Sequence, residues 1–110
     1  MEKKLFDHGV LYNGGDEFFT LKGNASMKLS PKAATEVCLE ATERKLWVLG
    51  VDGGHWMNPG FRPDGNTSWS CKKWLVEEGK LVENNQLAIE NIKSDEAEGY
   101  TAFLVTVRGL

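Results

Sequence analysis

A chain of 110 residues with 13 basic and 16 acidic side chains carries a formal net charge of −3, and 41% of it is hydrophobic. That length supports a single domain with one modest core, and no apolar run approaches the roughly 20 residues of a membrane-spanning helix. The mild acidity disfavours direct contact with nucleic acid, which clustered Lys and Arg would drive, and permits a basic protein partner.

The opening MEKKLFDHGVLY is charged but lacks a long apolar segment, so no secretory signal is expected and the cytoplasm is the expected compartment. Residues 5 to 22, LFDHGVLYNGGDEFFTLK, place two apolar-aromatic runs around NGGD, a turn-type cluster compatible with a β-hairpin. GNAS follows as a flexible joint, so residues 1–26 read as an N-terminal extension and 27–110 as the domain proper.

SPKAATEVCLEATERK predicts a helix, with Ser30 as its N-cap and Pro31 at the first helical position, where the missing N–H is no loss. Ala34, Val37, Cys38 and Ala41 share one face, and Glu40 with Arg44 forms an i,i+4 ion pair on the exposed side. LWVLGV then predicts a buried strand, after which DGG is expected to turn the chain so that HWMN pairs back. Residues 58–67, NPGFRPDGNT, are expected to be irregular. SWSCKKWLVEE reads as a strand with a bulge, or as a short strand and turn. ENNQLAIENIKSDEAEG predicts a second helix capped by Asn84 or Asn85, striped by Ala88, Ile89 and Ile92, and ended by Gly99. YTAFLVTV predicts a final core strand. The expected architecture is α+β: a small two-layer domain, mostly antiparallel sheet with two helices.

The chain contains two histidines, His8 and His55, too few for a metal centre of three or four ligands; no metal or other cofactor is expected. Cys38 and Cys71 form no C-x-x-C pair and read as free thiols. Asp52 and His55, close across the expected turn, are the one pairing that would suit a small hydrolase, as orienter and base. No G-x-S-x-G elbow, Walker-A loop or zinc-protease signature accompanies them. Binding accounts better for the tryptophans. Trp47 lies in an apolar strand and reads as core, whereas Trp56, Trp69 and Trp74 stand beside polar neighbours, and Trp is enriched at interface centres. Asp52, Asp64, Glu77 and Glu78 are placed to flank such an aromatic surface. A non-catalytic module with some other protein partner is the remaining alternative.

The stretches MKLSPKAATEVCLEATERKLWVLGVDGGHWMNPGF and ENNQLAIENIKSDEAEGYTAFLVTV closely resemble the colicin E5 immunity protein family. The likeness spans Met27 to Val107, excludes residues 1–26, and is loose in RPDGNTSWSCKKWLVEEGKLV. It implies an inhibitor, not an enzyme. The implied partner is the C-terminal ribonuclease domain of an E5-type colicin or of a contact-dependent toxin, bound as a 1:1 heterodimer. The inhibitor would cover the cleft that cleaves tRNA anticodons, with neither membrane nor direct nucleic acid involved. On residue chemistry, carboxylates stand in for phosphates, while aromatic faces and amide edges stand in for bases. The residues expected to meet the toxin are Asp52, His55, Trp56, Asn58, Phe61, Arg62, Asp64, Trp69, Glu77 and Glu78. Gly53, Gly54 and Gly60 would allow close backbone approach.

Overall fold

In the computed structural model, which describes residues 6–109, the Ser30 side chain accepts a hydrogen bond from the Ala33 N–H and starts the helix over Pro31–Glu43. Its expected stripe is buried in full: Ala34, Val37, Cys38 and Ala41 show no exposed surface. A short helix, Asp16–Thr20, precedes it in the chain, so we label the two α1 (Asp16–Thr20) and α2 (Pro31–Glu43). The strands are β1 (Trp47–Trp56), β2 (Phe61–Pro63), β3 (Trp69–Ser70) and β4 (Ala102–Arg108). Helices α3 (Lys73–Glu77) and α4 (Leu81–Ala97) separate the last two strands, and a 3-10 turn spans Gly65–Thr67.

The sheet is antiparallel and centred on β1, which pairs with β4 along one edge and with β2 and β3 along the other. Opposed residues share a face. Val51 opposite Val105 and Gly53 opposite Phe103 point toward α2 and α4, where they meet Val37, Ala88, Ile89 and Ile92 in one core. Gly50, Asp52 and Gly54, opposite Thr106, Leu104 and Ala102, form the other face. The α+β expectation holds, with α1 and α3 added to the two long helices.

Several local expectations fail for physical reasons. DGG does not turn the chain: β1 runs straight through it to Trp56. The glycines serve close packing instead, because a Cβ at Gly54 would collide with the Arg62 carbonyl, and one at Gly53 would lie 2.9 Å from the Thr67 hydroxyl. The reversal comes at residues 57–60, closed by the Met57 N–H donating to the Gly60 carbonyl at 2.7 Å. Part of the segment expected to be irregular therefore pairs as β2. SWSCKKWLVEE is a two-residue strand followed by α3.

Asn84 and Asn85 cap nothing. They sit inside α4 with no exposed surface, where the Asn85 carbonyl accepts from Val48 N–H (2.9 Å) and its amide donates to the Leu46 carbonyl (2.9 Å) and the Thr42 hydroxyl (3.0 Å). Asn84 donates to the Val48 carbonyl (3.0 Å) and accepts from Lys72 N–H (3.2 Å). On the edge of β1 away from β4, β3 pairs only with Gly50 and Val51, so the backbone at Val48 must find partners other than a neighbouring strand.

The expected N-terminal hairpin is not formed within the described residues, and its first residue, Leu5, lies outside them. Residues 16–20 coil into α1, and Tyr12 bridges in parallel to Leu29. Phe18 is 1% exposed and belongs to the main core. Ala25 N–H donates to the Val105 carbonyl, and Val107 N–H donates to the Asn24 side chain, so this segment lines the outer edge of β4. Gly15 N–H donates to Glu36 at 2.9 Å, which holds that carboxyl below its ordinary range.

Candidate functional site

The β1–β2 hairpin carries most of the residues expected to bind. Trp56 stands opposite Phe61, two residues along β1 from Gly54 and four from Asp52, so the three side chains of Asp52, Trp56 and Phe61 share the face turned away from α2 and α4. Asp52 is exposed and accepts a hydrogen bond from the Ser68 hydroxyl at 2.8 Å. Trp56 is braced by its N–H, which donates to the Thr101 hydroxyl at 2.9 Å. Asn58 sits at the tip with φ +59°, a left-handed conformation that Asn tolerates, and Met57 beside it is 55% exposed.

His55 stands opposite Arg62 and faces the other way. Its ring packs on Tyr100, with centroids 5.0 Å apart. Tyr100 OH donates to Asp64 Oδ2 at 2.8 Å, and Asn66 N–H donates to Asp64 Oδ1 at 3.0 Å. The Asn66 amide first, and then the Tyr100 hydroxyl, hold the Asp64 carboxyl below its ordinary range, while the bond to Asp64 pushes the Tyr100 phenol up. His55, Arg62, Pro63, Asp64 and Gly65 line a shallow pocket of about 380 Å³.

Apart from Asn58 at the tip, the expected residues thus divide among four places. Asp52, Trp56 and Phe61 share the open sheet face; His55, Arg62 and Asp64 gather with Tyr100 on the reverse side of the hairpin. Trp69, opposite Val51, packs half-buried against the core, with Lys72 Nζ 5.7 Å from its ring. Glu77 and Glu78 lie on and just after α3, which packs on α4, and pair with Lys73 (3.9 Å) and Lys80 (3.3 Å). Beside them an apolar groove of about 760 Å³ is bordered by Trp74 (54% exposed), Leu75, Val82 and Leu87.

Asp52 and His55 do not form a dyad: they point to opposite faces of one strand, and each is engaged by another partner. Among the described residues no three or more His, Cys, Asp or Glu side chains are grouped to hold a metal ion. Sequence reasoning missed Tyr100, Thr101 and Ser68, whose side chains support the hairpin. Their bonds to Asp64, Trp56 and Asp52 cross 36, 45 and 16 residues of sequence, so no local pattern signals them.

A braced hairpin bearing aromatic rings and a carboxylate on an exposed sheet face presents a surface suited to binding. A family profile described as Colicin-E5 Imm protein matches residues 27–108. Two Escherichia coli proteins, "Colicin-E5 immunity protein" and "Colicin-E5 immunity protein in ColE9", are each 58% identical to this chain over 82 residues, covering 74% of it and 99% of themselves. "Immunity protein CdiI" of Burkholderia pseudomallei is 37% identical over 95 residues, 86% of each chain. This chain belongs to the colicin E5 immunity protein family, whose members are toxin inhibitors and not enzymes. The Burkholderia match is longer than the stretch from Met27 to the C-terminus can supply, so it reaches into the N-terminal segment.

Proposed function

We propose that this chain protects the cytoplasm of its cell by binding, one to one, the C-terminal ribonuclease domain of an E5-type colicin or contact-dependent toxin. In this reading it fills the cleft that accepts the tRNA anticodon and transforms nothing. The observation that carries the reading is the shared outward face of Asp52, Trp56 and Phe61 on a braced hairpin. An anion and two planar rings on one rigid surface offer a nuclease cleft the features it reads in RNA, namely phosphate charge and base faces. The braced tip loses little freedom on docking. The net charge of −3 draws the chain toward a basic RNA-binding partner, which raises the association rate at low salt. No helix among the described residues is long and apolar enough to cross a membrane.

The test is tRNA anticodon cleavage by the purified toxin domain, titrated with this protein. Cleavage should stop near equimolar inhibitor, and tRNA and inhibitor should displace one another. Undiminished cleavage at several-fold excess would remove the toxin from consideration; a stable ternary complex with tRNA would remove the decoy mechanism while leaving the pairing.

A further inference from the structure

Tyr100 has no part in the decoy surface, yet it organises the reverse side of the same hairpin. Its ring supports His55 at 5.0 Å with the planes tilted by 32°, and its hydroxyl donates to Asp64 at 2.8 Å across 36 residues of sequence. The bond joins two side chains that are both partly open to water. Surface contacts of that kind add little to folding stability, and holding two side chains still costs conformational entropy. The arrangement makes physical sense if the fixed carboxylate is used. Asn66 N–H and Tyr100 OH each occupy one oxygen, which leaves a lone pair on each oxygen free to accept from a third group. The pocket beside it, lined by His55, Arg62, Pro63, Asp64 and Gly65, is open at about 380 Å³, enough for the end of one long side chain. Asp95 and Glu98 add negative charge around Tyr100, and His55 and Arg62 lie near enough to Asp64 to favour its charged form. The tilted His55–Tyr100 pair offers a planar surface suited to a guanidinium.

We propose that Tyr100 is a positioning residue for partner binding: its hydroxyl fixes Asp64 so that the carboxylate meets an arginine or lysine side chain of the toxin domain at this pocket. The proposal rests on the functional reading above. It adds a second contact to the decoy face, on the other side of the hairpin, so that the partner grips the hairpin from both sides.

Association and dissociation rates with the purified toxin ribonuclease domain test it, using the full chain and its Tyr100→Phe, Asp64→Ala and double variants. Tyr100→Phe keeps the ring on His55 and removes only the hydroxyl. It should leave the melting temperature near that of the wild type and speed dissociation about fivefold, the scale of an exposed charged contact. Asp64→Ala should cost more, and adding Tyr100→Phe to it should change nothing further. Additive effects, or a Tyr100→Phe variant that dissociates like the wild type, overturn the proposal. If Tyr100→Phe lowers the melting temperature, Asp64→Asn decides: it keeps an acceptor for Tyr100 but lacks the charge, and wild-type dissociation would overturn the proposal. A wild-type chain that does not bind at all overturns the functional reading and this proposal with it.

Discussion

Val48 and Val51, in the first half of β1, have no exposed surface and lie under α2 and α4, whereas Asp52, one residue further on, is open to solvent on a face that neither long helix covers. The first half is held by apolar burial and by Asn84 and Asn85, which satisfy the backbone where β3 does not pair with β1. The second half has glycines at 53 and 54 where the first has valines, and is held by close backbone approach to β2 and by hydroxyls of Thr67 and Thr101. One strand therefore does two jobs. Its sealed half fixes the fold, and its glycine half holds a surface rigid without burying the side chains displayed there.

Removing Asn85 breaks the sealed half most severely. Asn85→Ala leaves the buried Val48 N–H and the part-buried Leu46 carbonyl without their partners and opens a cavity. A loss of about 4 kcal/mol in urea denaturation is expected, because each orphaned buried group costs ~1–3 kcal/mol. A loss below about 1 kcal/mol would mean that water or a shifted strand replaces the amide.

Gly54→Ala breaks the open half instead. The added Cβ collides with the Arg62 carbonyl, so β2 must move away from β1. Overpacking of this kind costs roughly 1–3 kcal/mol. Hydrogen exchange should quicken in residues 55–62 while Val48, Val51 and Val105 stay protected, and toxin binding should weaken sharply. Uniform loss of protection would show that the two halves fold as one unit.

The sealed half was the legible half. Ala34, Val37, Cys38 and Ala41, the LWV run and the FLVTV strand repeat at helical or strand spacing because burial selects them, and Ser30-Pro31 marks the helix start by backbone chemistry alone. The glycine half was misread because Gly serves equally for a turn and for a tight crossing, and only the neighbouring Arg62 backbone distinguishes them. Asn84-Asn85 was read as a cap by the same ambiguity, since the side chain that caps a helix end also satisfies a strand from within the helix. At the site, the ladder determines that Asp52, Trp56 and Phe61 face together and His55 faces away. That division follows from strand pairing, which the expected turn at DGG concealed.

Binding measurements sharpen the contrast between display and support. Trp56→Ala should chiefly speed dissociation from the toxin domain, at a cost of about 2 kcal/mol if its ring is a central anchor. Asp52→Lys should slow association, most visibly at low salt. Both should melt near the wild-type temperature, since neither side chain belongs to the core. Reversing Glu77 and Glu78, which lie on the α3 side and are already paired with lysines, should matter less than Asp52→Lys; the opposite ranking would move the interface to α3.

The smallest effect is read at the two thiols, one beneath the sealed half of β1 and one at its rim. Cys38 is fully buried behind the sealed half, and that burial pushes its thiol up to about 12. Cys71 is partly exposed at the rim, its N–H donating to the Leu49 carbonyl. A thiol reagent at neutral pH should modify Cys71 alone in the native chain, and both cysteines in denaturant. The sign of the linkage follows from the raised value: the folded chain prefers the protonated thiol of Cys38. Its contribution is therefore intact below the unfolded thiol pKa of about 8.5 and is lost as pH climbs from there toward 12. Cys38→Ala should flatten that alkaline decline, at some cost in packing, while Cys71→Ala should leave it in place. Native modification of both thiols at equal rates would mean that the helix layer over the first half of β1 opens far more readily than its packing implies.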